Sequence, residues 1–432
     1  MKRFRSRIAL AVLLLPCLAR ATEADMPYPQ ALPPVEQARR ALARQPLVAA
    51  ARAGVAQEEA GRTALLAGSN EWTVRATSQR RNVINDRNYQ ENGIALERPL
   101  RLPSKAGKDA QLGDGGVRLA ELRLADAWHE AARALMKSWF DWLREARAAT
   151  RLEQNAQLLD RQLQIVNQRV RAGDAPRMEI ALAQTERDRA QAAAMAAAQR
   201  RALLEAAIAG RYPELAATPP EALPEPASLA ASPQAWRERI LADNHELEVA
   251  QAEAAQARLA AERTALDGKP DPTLGVHYIE ERGRQERILG MSLSFAIPGA
   301  ARGAQARAGW SRAAQAEERA QEARMKVETE AMAGALRAAS TQALWQQLAA
   351  IACQAEDYAG LAARAYALGE LPLNDTLLAR RQALDALTNA EQAQIDALEA
   401  QARLLLDAHR IWSLEDMEDA KEVKPQAVPG AQ

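Results

Sequence analysis

The sequence predicts a mainly α-helical fold with a small β part. One long helical hairpin occurs twice, and each copy carries two strands. Three observations lead there. Ala41-Leu-Ala-Arg-Gln-Pro-Leu-Val48 opens a block that runs to about Tyr212, and Ile240-Leu-Ala-Asp-Asn-His-Glu-Leu247 opens a second that runs to about Leu414. The turns Arg171-Ala-Gly173-Asp-Ala-Pro176 and Ala367-Leu-Gly369-Glu-Leu-Pro372 fall at matching places in the two blocks. Between residues 105 and 415 Ala, Gln, Glu, Arg and Leu dominate, which is coiled-coil composition. Such repeats cannot bury their apolar stripes alone, so the pattern implies assembly.

The first 21 residues read as a secretory signal. Lys2, Arg3, Arg5 and Arg7 make a basic start, Ile8 to Leu15 a short apolar run, and Ala19-Arg-Ala21 a small-x-small cleavage site. The run is too short for a bilayer, which needs about 20 residues. A lipoprotein reading at Leu14-Leu-Pro-Cys17 stays open, although Pro16 is a poor residue before a lipidated cysteine. Residues 22–34 are Pro-rich and expected to be extended.

The first repeat spans 35–212 and the second 233–414. Residues 35–67 and their counterpart 233–266 carry Ala, Leu and Val at helical spacing, and each is expected to form one helix. Between the repeats, Pro213, Pro219, Pro220, Pro224, Pro226 and Pro233 rule out a helix interior, so 213–232 is a connection. The tail 415–432 is acidic and then Pro/Gly-containing, the composition of a disordered segment.

Four strands are expected, at about 70–81, 88–100, 272–281 and 287–297. Trp72, Val74 and Ala76 alternate with Thr73, Arg75 and Thr77, and Ile94 and Leu96 with Ala95 and Glu97. In the second repeat Leu274, Val276 and Tyr278 alternate with Thr273, Gly275 and His277. The clearest run is Leu289, Met291, Leu293, Phe295 and Ile297, expected to face lipid, against Gly290, Ser292, Ser294 and Ala296. A soluble antiparallel sheet alternates in the same way. Two points weigh against it. The lengths match tilted transmembrane strands of about 9–11 residues, and aromatic content of 4% with three Phe leaves no evident aromatic core to cover. Four strands cannot close a barrel, since the smallest have about eight. An open edge in lipid costs several kcal/mol per unpaired group. Several chains would therefore share one barrel.

The long arms follow the strands. Arg118 to Arg171 contains no Pro or Gly, and at about 1.5 Å per residue forms an arm near 80 Å long. Leu152, Leu159, Leu163, Val166 and Val170 form one heptad-like seam, and Leu344, Leu348, Ile351, Ala355, Tyr358, Ala362 and Ala365 a second. At the turns Gly173 and Gly369 suit the left-handed residue that ends a helix, and Pro176 and Pro372 the first position of the next. Ala175 and Leu371 before them are poor N-caps, and Leu371 is expected to be an exposed apolar residue at a tip that meets a partner.

Several chemistries find no support. A formal net charge of zero provides no basic field for nucleic acid. His129, His245, His277 and His409 are scattered in sequence, without HExxH, CxxC or a close ligand cluster. Gly113-Asp-Gly-Gly116 reads as a turn near a helix start rather than a phosphate cradle, because no Lys-Ser/Thr follows. Cys353, left after signal removal, reads as a buried inert thiol. Trp128, Trp139, Trp142 and Trp345 fall on helices, where packing or an interface is the ordinary role. No catalytic constellation and no cofactor site is expected.

Taken together, the paired repeat openings, the post-strand segment Ile297-Pro-Gly-Ala-Ala-Arg302-Gly and the two Gly-containing tips resemble the TolC-type outer-membrane efflux proteins over about residues 35–414. The resemblance implies a homotrimer with a twelve-stranded outer-membrane barrel and a twelve-helix periplasmic tunnel. The tips Gly173, Asp174, Pro176, Gly369, Glu370, Leu371 and Pro372 would meet a periplasmic adaptor. An inner-membrane pump, proton-driven or ABC-type, would supply the energy. It also implies a pore gate at Glu179, Tyr366 and Asp375. Leu371 stands where an Arg would help latch that gate, and Leu378 replaces a second acid. Within the family, Pro270-Asp-Pro-Thr-Leu-Gly275 looks most like the heavy-metal cation branch. Six acids, Glu179 and Asp375 from each of three chains, would favour cations at a constriction. Both also suit solvated first-turn acids at a helix N-terminus. The alternative to a duct is a periplasmic coiled-coil adaptor or scaffold without a barrel, although adaptors usually carry one hairpin and compact β domains.

Overall fold

The structure, a computed structural model, describes residues 28–68 and 70–414; the signal segment, Cys17 and the 415–432 tail lie outside the described residues. Each repeat runs through two short helices, two strands and a long hairpin. The first comprises α1 (Val35–Ala43), α2 (Pro46–Ala67), β1 (Thr73–Asn82), β2 (Asn88–Pro99), α3 (Pro103–Ala172) and α4 (Met178–Arg211). The second comprises α5 (Pro233–Ala242), α6 (His245–Ala265), β3 (Thr273–Glu281), β4 (Glu286–Ser294), α7 (Ala300–Leu368) and α8 (Leu373–Asp407). Among the described residues no helix is long and apolar enough to cross a membrane.

The helices expected over 35–67 and 233–266 are each broken in two, at the same place in both repeats. Pro46 lacks an N–H and crowds the preceding turn, so α2 begins afresh there. Asn244 starts α6 by accepting from the Leu247 amide at 2.9 Å.

Helix α3 is 70 residues long and α7 is 69, each roughly 100 Å at about 1.5 Å per residue. The glycines at 113–116 are not a turn; they lie inside α3. A Cβ on Gly113 would sit 2.9 Å from Arg62 Cγ and 3.1 Å from Arg62 Cα. One on Gly115 would meet Gln256 Oε1 at 2.4 Å. These glycines let α2 and α6 lie against α3 at close range, and that contact outweighs their poor helix propensity.

The sheet has the order β1-β2-β3-β4, antiparallel throughout, with β1 and β4 as its edges. Register brings Val74, Leu96, Val276 and Met291 into one row, and Ala76, Ile94, Tyr278 and Leu289 into the next. The opposite face carries Arg75, Ala95, His277 and Gly290, with Glu97, Gly275 and Ser292 below. A Cβ on Gly290 would strike His277 Nε2 at 2.5 Å, so glycine leaves the room into which that imidazole folds. The strand expected over 287–297 ends at Ser294, so Phe295 and Ile297 lie beyond it. Ser294 pairs with Thr273, and Pro272 beyond it has no N–H to extend the ladder.

An aromatic core exists, contrary to the compositional expectation. Trp128, Trp139, Phe140, Trp142, Tyr212, Trp236 and Trp412 are all buried in one cluster around the middle of α3, and we call this region the waist. Seven aromatics suffice because they converge from both repeats. Trp139 donates to the Ala31 carbonyl at 2.7 Å and Trp128 to that of Trp412 at 2.7 Å. The connection 213–232 lies along α8, where Gln401 bonds both the amide and the carbonyl of Ala227 at 3.1 and 2.6 Å.

Three of the four histidines are not scattered in space. His129, His245 and His409 meet beside the waist with ring centroids 4.3 to 6.2 Å apart. Segments separated by more than a hundred residues converge there, which linear spacing cannot reveal. Cys353 is exposed rather than buried: Ala352 takes the inward position on α7 and turns its neighbour outward.

Candidate functional site at the hairpin tips

The two tips share one backbone geometry. Gly173 has φ +84° and Gly369 φ +81°, the left-handed region that favours glycine. The Asp174 amide bonds the Arg169 carbonyl at 2.9 Å, and the Glu370 amide bonds that of Ala365 at 2.9 Å, so both helices end in the same Schellman-type wrap. The prolines sit elsewhere than expected. Pro372 is the N-cap of α8, and Pro176 precedes Arg177, the N-cap of α4. Neither cap residue uses a side chain, so backbone carbonyls satisfy the first amides, as Pro176 does for Glu179 at 3.0 Å.

Gly173, Asp174, Pro176, Gly369, Glu370 and Pro372 are exposed. Leu371 is not an exposed tip residue: it is half-buried against Ala359, Ala362, Ala379 and Ala383, because small residues on α7 and α8 leave a hollow for it. The exposed apolar side chains here are Met178 and Leu368, 80% and 75% accessible.

Above the tips, three side chains from three helices form one cluster. The Tyr366 ring is buried, and its hydroxyl donates to Glu179 Oε2 at 3.0 Å. Arg169 lies over that ring at 4.6 Å and donates to the Tyr366 carbonyl at 3.1 Å. Burial, and then the Glu179 carboxylate, push the Tyr366 phenol up, while Arg169 acts the other way. Tyr366 therefore stays a neutral donor. Around it Leu159, Val166, Ala183, Ala190, Leu373 and Leu377 form the local core. Asp375 is exposed in the first turn of α8 and makes no part of this cluster. Arg169 escaped the sequence reading because the arginine was sought at the position of Leu371, beside Gly369. Its only signal was a basic residue in the last turn of α3, ordinary at a helix C-terminus.

The two seams behave differently. Leu159 and Val166 of the first are buried within the chain. Of the second only Ala362 is buried, and Leu344, Ile351 and Tyr358 remain exposed; the face of α7 that is buried runs instead through Ala352, Ala359, Ala362 and Tyr366. Alanine lets α8 approach closely on one side of α7, and the larger residues stay on the other. With Leu361 and Leu368 they form an uncovered stripe at heptad spacing. Leu289, Met291 and Leu293 are likewise exposed on the apolar face of β4, at 78%, 73% and 65%.

No family model matches the chain, and no curated protein matches it in sequence. Solved structures do match in fold. The CmeC outer membrane channel of Campylobacter jejuni is 13% identical with a TM-score of 0.73, over 90% of this chain and 88% of that one. The outer membrane protein VceC of Vibrio cholerae is 14% identical with a TM-score of 0.70, over 86% of this chain and 95% of that one. The open state of the MtrE outer membrane channel of Neisseria gonorrhoeae is 17% identical with a TM-score of 0.61, over 86% and 88%. At such low identity the likeness, over 86–90% of this chain, is one of fold, and the chain has the fold of the TolC-type outer-membrane channels.

Proposed function

We propose that this protein is the outer-membrane duct of a tripartite efflux system: a homotrimer whose twelve strands form one barrel in the outer membrane and whose helices continue it through the periplasm. The observation that carries this reading is the sheet. One face is apolar and exposed, the other is polar, and both edge strands are free, so a single chain can neither shield it from water nor seal it in lipid. The uncovered stripe on α7 supports the same assembly, since a neighbouring hairpin would bury Leu344, Ile351 and Tyr358.

Passage through such a duct is passive and needs no catalytic group. The tips around Gly173 and Gly369 face a periplasmic adaptor, with Met178 and Leu368 as apolar contacts, and an inner-membrane pump drives export. Glu179, Tyr366 and Arg169 hold the tunnel's periplasmic end narrow. The exposed Asp375 contributes negative charge there, which favours cations. Heavy-metal cations are the cargo suggested by the repeat phrasing around Pro270. The test is the mature protein purified in detergent and reconstituted in planar bilayers. Trimers that conduct ions carry the reading; a water-soluble monomer that keeps its whole fold without detergent ends it.

A further inference from the structure

We propose that His129, His245 and His409 form an acid-sensitive catch, which holds the C-terminal segment 408–414 in the waist and frees it on mild acidification. The three imidazoles come from α3, the first turn of α6 and the chain just past α8. His245 and His409 stack at 4.3 Å with a 20° interplanar angle, and His129 stands edge-on to both, at 5.2 Å from His409 and 6.2 Å from His245. Neutral rings pack favourably this way; three imidazolium ions at these separations repel. Among the described residues no three His, Cys, Asp or Glu side chains are arranged to hold a metal ion, so proton uptake is the chemistry this stack offers.

The surrounding charges decide the sign. On α8 the Asp407 carboxylate takes His129 Nε2 at 3.3 Å, but it is already engaged by Arg133 of α3 at 2.9 Å and by Arg403 at 3.0 Å. On α6, Glu248 lies 3.5 Å from His245 Nδ1, and Glu246 is bound by Lys326 of α7 at 2.7 Å, with Glu330 of α7 beside that lysine. Asp126 faces the cluster from α3, with Glu130 beside it and bound by Arg133 at 2.7 Å. Burial, then Glu130 and Glu246, push the Asp126 carboxyl up, so it loses charge early on acidification. Burial lowers His129 as well, and burial with the two neighbouring imidazoles holds His409 at about 4. For a histidine with a depressed pKa, stability is complete above the free imidazole value and is lost as pH falls toward the folded one. The window therefore opens near pH 6.5 and closes near 4.

The segment is built to be released. His409 and Trp412 both have positive φ, +54° and +53°, a conformation costly for non-glycine residues. What holds them is the histidine stack, the helix-ending bonds from the His409 and Arg410 amides to the Leu406 and Leu405 carbonyls at 3.0 and 2.8 Å, the burial of Ile411 and Trp412 in the waist, the bond from Trp128 to the Trp412 carbonyl, and the bond from Trp412 Nε1 to Tyr28 Oη at 3.0 Å. Once the stack is charged, that local strain favours the free segment.

Hydrogen exchange on the full mature protein in detergent tests this. Between about pH 7.5 and pH 5, after correction for intrinsic rates, protection of 408–414 should fall about tenfold or more while the middle of α3 stays protected. In the variant H245Q/H409Q, which carries one titratable ring in place of three, the fall should be about twofold or less. If the double variant does not assemble, H409Q alone serves, with a response between the two. Equal protection of the wild type at both pH values overturns the proposal. So does an acid response in the variant matching the wild type, or a loss of protection spread evenly over α3 and the segment.

Discussion

Tyr366 donates its hydroxyl to Glu179 across 3.0 Å, and this bond ties the end of the second repeat's long helix to the start of the first repeat's return helix. Tyr366→Phe keeps the ring under Arg169 and removes only the bond, which costs about 1 kcal/mol. We expect a slightly lower melting temperature and a larger mean single-channel conductance in planar bilayers. Conductance identical to wild type would remove this pair from the narrowing of the tunnel.

The tip glycines make a second prediction. At φ +84° and +81°, Gly173→Val and Gly369→Val each meet a backbone cost of about 1–2 kcal/mol, and more for a β-branched residue. A Cβ at either position would meet nothing within 4 Å, so the damage is confined to the turn's shape. Trimers should still reach the membrane while export falls. Normal export by both variants would count against adaptor contact at the tips.

Two glycines of α3 should respond in opposite directions to alanine. A Cβ on Gly107 would meet nothing within 4 Å, so Gly107→Ala should stabilise by about 0.5–1 kcal/mol through helix propensity. Gly113→Ala gains the same propensity but drives a Cβ to within 3.1 Å of the Arg62 backbone, and should destabilise by about 1–3 kcal/mol. Thermal unfolding of both variants in one detergent measures the contrast.

Asp407 defines an acid window below that of the histidines. Burial would raise its carboxyl, but the His129 hydrogen bond and the charges of Arg133 and Arg403 prevail and hold it at about 2. A depressed carboxylate contributes stability above its unfolded pKa and loses it as pH falls through the folded one. About 2 kcal/mol should therefore disappear between roughly pH 4 and pH 2. Asp407→Asn should abolish that step in an acid titration followed by circular dichroism. It should also cost about 1–3 kcal/mol at neutral pH, because it removes one anion from Arg133, which keeps Glu130 at 2.7 Å, and from the half-exposed Arg403.

The duplicated hairpins, the strand alternation and the left-handed tip glycines were legible in the sequence, because each is a local regularity. Period two over Leu289, Met291 and Leu293 identified a strand with one apolar face; heptad steps over Leu159 and Val166 marked a buried seam; and Gly followed by Pro marked a helix reversal. What only the tertiary structure decided depends on contacts between residues distant in the chain. It converted Gly113 to Gly116 from a turn into a helix crossing, since the reason for glycine lies on α2 and α6. It gathered Trp128, Trp236 and Trp412 into a core that a 4% aromatic composition had argued against. It set Arg169 over Tyr366, and it brought His129, His245 and His409 together. Local spacing specifies which face of an element is apolar; which other element covers that face is a property of the packed chain.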